Sequence, residues 1–202
     1  MVLSHLRGSR PADCPGAARC WIGRGPGGSR IGVGCVGWGT RRAWIRGRAL
    51  ADRFTPRRIV AWGVAGALSE ELQAGDLALC RRVVDGATGE AVEQRGCADG
   101  TTIPFDAPRR CWLRQASSLT WPRPVLRRST RRALGERFGC ELVEMENAAL
   151  ARLARDADAE FLGLRTILDD FAFPPWPSAP YLRFLSNSLR AGARAAVYAA
   201  VG

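Results

Sequence analysis

Apolar residues fall along this chain in short unbroken runs, separated by stretches rich in glycine, proline and charge. RIGVGCV (30–36) reads as a glycine-rich strand and 40–52 as a helix. RIVAWGVAG (58–66) is a β-branched run between Pro56-Arg57 and a glycine turn, the pattern of a central strand covered on both faces. DLALCRRVVD (76–85) is another strand, and 86–110 is an excursion rich in Gly, Pro, Asp and Thr. A helix over 127–137 leads into the strand CELVEM (140–145). In ENAALARLARDA (146–157), Ala149, Leu150, Leu153 and Ala154 share one helical face. EFLGLRTIL (160–168) has the pattern of a buried strand and ends in Asp169-Asp170. After the proline-rich FPPWPSAP (173–180), the remaining tail reads as a closing helix. The first 30 residues read as irregular, apart from a short apolar piece at 20–22.

Strands alternating with helices predict an α/β fold, a three-layer sandwich around a mixed, largely parallel twisted sheet. The 202 residues suit one domain spanning 1–202, and no internal repeat is visible. No run of about 18 apolar residues is present, so no membrane span is expected. The opening MVLSHLRGSR lacks the apolar core of a secretory signal, and a cytoplasmic protein is the default expectation.

Charge changes this picture little. The net charge is +11, yet every basic residue except His5 is arginine, with no lysine in the chain. The arginines are scattered, pairing only briefly as at Arg41-Arg42, Arg127-Arg128 and Arg131-Arg132, which predicts a solvated surface rather than specific nucleic-acid binding. Seven cysteines with wide gaps and no C-x-x-C favour reduced thiols packed as small apolar groups over a disulfide framework or zinc site. His5 is the only histidine, which removes Ser-His-Asp, Cys-His and multi-histidine metal chemistry. Catalysis here has to use carboxylates, backbone amides, arginine and aromatics.

One motif misleads. Gly32, Gly34 and Gly37 match G-x-G-x-x-G, with Asp52 20 residues beyond Gly32. A dinucleotide fingerprint needs a strand before its first glycine and an acid ending a second strand. Here Gly-Pro-Gly-Gly-Ser precedes the motif, and Asp52 sits in the helix-like RGRALADRF. The better reading puts a strand over 30–36 and a turn at Gly37-Trp38-Gly39, whose amides face an anion or a sugar.

VEMENAAL (143–150) sets Glu144 and Glu146 around Met145 where a strand passes into a helix, and Asp169 ends the next strand. Ligands in open α/β sheets bind beyond the carboxyl ends of strands, so these acids and the turn Gly63-Val64-Ala65-Gly66 are candidates for one rim. Acids opening a helix also suit its positive end. The residues alone leave open whether Glu144 and Glu146 bind a ligand or merely cap the helix.

Order and spacing add a resemblance. VGWG (36–39), IVAWGVAGAL (59–68), AGDLAL (74–79), CELVEMENAALARLA (140–154) and FLGLRTILDD (161–170) together resemble the purine nucleoside phosphorylase and nucleosidase superfamily. The nearest likeness is to its methylthioadenosine/adenosylhomocysteine nucleosidase-like and hopanoid-associated members. Glu146 and Asp169, 23 residues apart, match the family's ribose-binding glutamate and catalytic aspartate. What the resemblance implies is cleavage of the N-glycosidic bond of an adenosine-type purine nucleoside: methylthioadenosine, adenosylhomocysteine or an adenosylated lipid. Asp169 would protonate the leaving base, Glu146 would grip the ribose hydroxyls, Met145 would lie against the sugar and Glu144 would support them. Gly37, Gly63 and Val64 would stand among the substrate-binding positions. Trp121 aligns loosely with an aromatic that stacks on the base, with ordinary core packing equally open. The resemblance implies no cofactor, with phosphate as co-substrate in a phosphorylase. It further implies a small-molecule nucleoside as partner and self-association into a homo-oligomer.

The match has departures. Family hydrolases begin with a strand followed by a glutamate that positions the attacking water. The first glutamate here is Glu70, and VLSHL looks like the helix after that strand, so the N-terminal strand is expected to be missing or truncated. Ile167-Leu168-Asp169 stands where the family has Ile-Ser-Asp, and Val64 stands where serine is frequent. Phosphorylases often place an arginine shortly before the glycine turn. Ala61-Trp62 occupies that place, which favours water over phosphate, or no reaction.

Overall fold

The computed structural model describes residues 2–17, 19–93, 113–171 and 179–200. Its first element, a short 3-10 turn at Val2–His5, leads into three antiparallel strands: β1 Arg7–Ala12, β2 Cys20–Arg24 and β3 Arg30–Gly34. The first 30 residues are therefore ordered as a meander, not irregular. The β2–β3 reversal uses Gly27 and Gly28, both at positive φ, and closes with Gly25 N–H donating to Ser29 O at 2.9 Å. The sequence RGSRPA hides β1 because it is a polar, exposed edge strand, the one kind that tolerates proline.

Helix α1 (Thr40–Phe54) crosses this meander. Gly32 and Gly34 lie in β3 beneath it: a Cβ on Gly32 would come within 2.6 Å of the Phe54 ring, and one on Gly34 would overlap Leu50. These glycines let a helix lie close on a strand and form no phosphate loop. Asp52 lies within α1, paired with Arg48 at 3.0 Å. Thr55 then takes a left-handed φ of 43° as its N–H donates to Ala51 O, and Pro56 prevents continuation.

The rest of the chain builds the main sheet. Its strands are β4 (Arg58–Ala67), β5 (Leu77–Asp85), β6 (Ala91–Glu93), β7 (Leu113–Thr120), β8 (Leu142–Glu144) and β9 (Glu160–Asp169). Helices α2 (Arg128–Phe138), α3 (Asn147–Asp156) and α4 (Ala179–Ala199) complete the order. The excursion predicted over 86–110 is partly strand β6; 94–112 lie outside the described residues, as does 172–178 with most of FPPWPSAP.

The fold is α/β with a mixed sheet, as expected, but that sheet does not stay open between two helical layers. Its order is β6-β5-β7-β8-β4-β9, and β9 pairs back onto β5 through Leu77↔Thr166 to Cys80↔Gly163. Five strands thus close into a ring, three of the pairings parallel and two antiparallel, with β6 appended. Ala65, Ala67, Ala78, Cys80, Ala116, Leu142 and Ile167 form one buried cluster drawn from all five ring strands. Most are small because a five-stranded ring leaves little interior. Along β5 the alternation is small against large: Ala78 and Cys80 join that cluster, whereas Leu77 and Leu79 pack with Ala191 and Ala195 of α4. Helices α1 and α3 share another cluster with Ala61 of β4.

Cys14, Cys20, Cys80 and Cys140 are buried free thiols, while Cys35 is exposed. Burial pushes Cys80 up to about 12, consistent with packing as an apolar group. Among the described residues, no helix is long and apolar enough to cross a membrane.

Helix α2 docks on the ring through Gly135, where an added Cβ would stand 2.9 Å from Leu68 O and 3.3 Å from Cys140 O. An exposed helical Gly→Ala substitution gains about 1 kcal/mol. Backbone oxygens cannot give way as a flexible side chain can. Gly135→Ala should therefore lose about 1–3 kcal/mol, measured as a lower urea midpoint.

Candidate active site

The β8–α3 junction is held by Glu144, whose side chain is fully buried. Three or four N–H groups at a helix start lack intrahelical partners, and a carboxylate placed there meets both their need and the helix dipole. Glu144 Oε2 accepts from Glu146 N–H at 2.8 Å and Asn147 N–H at 2.7 Å, while Oε1 accepts from the Thr120 hydroxyl. Thr120 Oγ1 in turn accepts from Ala148 N–H at 2.9 Å. Arg165 Nη2, reaching in from β9, lies 2.9 Å from Glu144 Oε2 and also donates to Asn147 Oδ1. With four donors already on its carboxylate, Glu144 caps the helix start and supports the turn.

Glu146 behaves differently. It occupies the N-cap position of α3 with no side-chain capping bond. Its Oε1 accepts instead from Gly39 N–H at 2.9 Å, across from the start of α1, and Arg165 Nη2 is 3.7 Å from Oε2. Burial raises its pKa, opposed by the Arg165 guanidinium and the Gly39 amide. Gly39 and Gly37 both take positive φ, 89° and 78°, which aims the turn's backbone at this carboxylate.

Asp169 ends β9 and is buried. Its Oδ2 accepts from Arg131 Nη2 of α2, and Arg131 Nε donates to Val125 O at 2.8 Å. Gly66 lies against the same carboxylate, its Cβ position 3.0 Å from Oδ1. Gly63 lies beneath Arg165, whose Nη1 fills the space a side chain would need.

These residues face one cavity of about 1560 Å³, lined by Gly37, Gly63, Val64, Gly66, Glu144, Met145, Glu146 and Asp169, with Arg131 and Arg165. Ligand pockets commonly measure about 300–1,000 Å³, so a small-molecule ligand would fill part of it. The cavity continues along β4, which is bonded to β9 from Arg58 to Gly66 but to β8 only at Gly66 and Ala67. Trp121 is not brought to it. That ring packs on Phe138, with centroids 6.1 Å apart, and covers Gly86. Of the two readings, the contacts of this ring are those of core packing.

Sequence reading passed over Arg165, Arg131, Asn147 and Thr120. A signal existed for the first: Arg165 stands alone in the apolar run FLGLRTIL, and a buried arginine is rare unless paired. It stands on the neighbouring strand in register with Gly63, one residue beyond Ala61-Trp62. Among the described residues, its Nε has no hydrogen-bond partner. Arg131 carried no such signal, being one arginine among many.

A closed mixed sheet with helices around it carries a glutamate at a helix start and an aspartate at a strand end on one cavity, which defines an α/β protein with paired carboxylates at a pocket. The chain belongs to the phosphorylase superfamily, whose family model matches residues 9–198. Among curated proteins, none matches it. Solved structures share its fold. A methylthioadenosine/S-adenosylhomocysteine nucleosidase of Campylobacter jejuni superposes with a TM-score of 0.82 at 15% identity, covering 97% of this chain and 90% of its own. The corresponding nucleosidase of Colwellia psychrerythraea, in complex with adenine, gives 0.75 at 18% identity over 98% and 87%. Futalosine hydrolase of Helicobacter pylori gives 0.77 at 17% identity over 96% and 87%.

Removing the Glu144 carboxylate leaves Arg165 buried beside unpaired helix N–H groups. Glu144→Ala should cost about 3–5 kcal/mol of folding free energy, read from chemical denaturation, well beyond the about 1 kcal/mol of a typical lost helix cap.

Proposed function

We propose that this chain hydrolyses the N-glycosidic bond of an adenosine-type nucleoside, such as methylthioadenosine, adenosylhomocysteine or an adenosylated lipid. The observation that carries this reading is the placing of Glu146 and Asp169 on one cavity, one at a helix start and one at a strand end. The chemistry has two demands. The base leaves more readily when N7 is protonated, and the ribose becomes cationic as it leaves. Asp169 answers the first as general acid. Glu146, held by the Gly39 amide and near Arg165, answers the second by accepting the ribose hydroxyls and balancing positive charge. Met145 and Val64 offer apolar contact, and no cofactor is required.

One observation favours a second reading, phosphorolysis. Arg165 brings an unpartnered Nε and an Nη1 lying over Gly63 to the cavity wall, a donor set suited to an oxyanion. Product analysis separates the two: hydrolysis yields free ribose regardless of phosphate, and phosphorolysis yields ribose 1-phosphate only in its presence. Self-association, expected from the resemblance, is measurable by sizing under the same conditions.

Full-length protein should release adenine from at least one of the three substrate types. Asp169→Asn should slow that release by about 10²–10⁴-fold. If none is cleaved, or if the substitution changes nothing, the reading is lost.

The Glu146 shift gives a pH signature. Its raised pKa moves the ionised form needed at the ribose to higher pH than for an ordinary glutamate. The acid limb of kcat/KM should lie correspondingly high. Burial disfavours the charge in the folded state alone, so that destabilisation is present above the folded pKa and vanishes as pH falls below it. Glu146→Gln should abolish turnover while raising Tm at pH 7 and leaving it unchanged at pH 4.

A further inference from the structure

We infer that Arg131 is a positioning residue for the Asp169 acid, an inference that rests on the hydrolase reading above. Arg131 is 3% exposed, among the most deeply buried arginines of the chain. Its guanidinium is fixed at two points. Nε donates to Val125 O at 2.8 Å, in the segment that enters α2, and Nη2 donates to Asp169 Oδ2. The arginine thus ties the start of one helix to the end of strand β9, where the carboxylate faces the cavity.

This tether makes the two oxygens of Asp169 unequal. Oδ2 accepts from a cation and is unavailable as a proton carrier. Oδ1, the oxygen against Gly66, is the one left to carry the proton. A Cβ at Gly66 would stand 3.0 Å from Oδ1 and 3.6 Å from Arg131 Nη2, so the glycine gives the pair its room. In the cleavage step the proton on Oδ1 passes to N7 of the base. The C1′–N9 bonding pair withdraws into the purine, and the carboxylate left behind is held by Arg131. Water then adds to C1′, and the proton it loses returns through solvent to the Asp169 carboxylate, restoring the acid. Arg131 never touches substrate in this scheme. It orients the donor and stabilises the anion that donation creates, and a charged partner already in place costs no reorganisation at that moment.

The role separates from simple structural support by leaving group. A purine needs a proton to depart, whereas 4-nitrophenolate does not. Arg131→Met and Arg131→Lys in the full chain are compared with wild type on an adenosine-type nucleoside and on 4-nitrophenyl β-D-ribofuranoside. For Arg131→Met, kcat on the nucleoside should fall by about 10²-fold with KM changed less than about 3-fold, while the nitrophenyl riboside is cleaved within about 3-fold of the wild-type rate. Arg131→Lys should recover about 10-fold of the lost kcat by restoring a cation. The nitrophenyl rate also reports that the variant is folded. Equal losses on both compounds would show a structural residue and overturn the inference, as would an undiminished nucleoside rate. A wild type that cleaves only the nitrophenyl riboside overturns the acid machinery as a whole. A wild type inert toward both removes the hydrolase reading, and this inference with it.

Discussion

A guanidinium cannot be buried in a strand unless a carboxylate is buried with it, and the Arg165–Glu144 pair is the constraint around which this site is arranged. Both side chains are almost wholly withdrawn from water. Desolvating two ions costs several kcal/mol each, so such a pair contributes little net stability over an apolar replacement. Its value lies in what it locates. Glu144 ends β8 and gathers the first N–H groups of α3, Thr120 comes from β7, and Arg165 from β9. Three strands and one helix meet at a single carboxylate, and Glu146 is set two residues beyond it with its own carboxylate turned to the cavity.

The division of labour between the acids follows from what surrounds each. Three acids appear equivalent along the chain. One is saturated by donors and works as masonry, one is half-buried at the cavity with a single amide on it, and one is matched by a guanidinium of its own. Basic residues read as scattered surface charge include two, Arg131 and Arg165, that are interior parts of the site. Others, such as Arg48 and Arg132, pair with Asp52 and Glu70 at the surface, where ion pairs are worth little.

Much of the framework was legible from apolar runs: α1, β4, β5, α2, α3, β9 and the terminal helix fall close to their predicted spans. Glu146 and Asp169 were legible through order and spacing, since local pattern puts an acid at a helix start and another at a strand end. Ring closure was not read, because strands buried on both faces look alike in an open sandwich and in a closed ring. The telling signal was size rather than polarity, the alternation Leu77, Ala78, Leu79, Cys80. Strand β1 escaped because an exposed edge strand with proline carries no apolar run at all. Trp121 was unreadable for a different reason. An aromatic after a strand is compatible with both a pocket and a core, and only its contact with Phe138 distinguishes them.

The small-residue interior of the ring has an evolutionary consequence. With Ala65, Ala67, Ala78, Cys80 and Ala116 already filling it, no inward position accepts a larger side chain without spreading the strands apart. Drift in sequence is therefore channelled outward, to the loops and helix starts at the rim. Side chains at the rim change in size and chemistry without disturbing the ring.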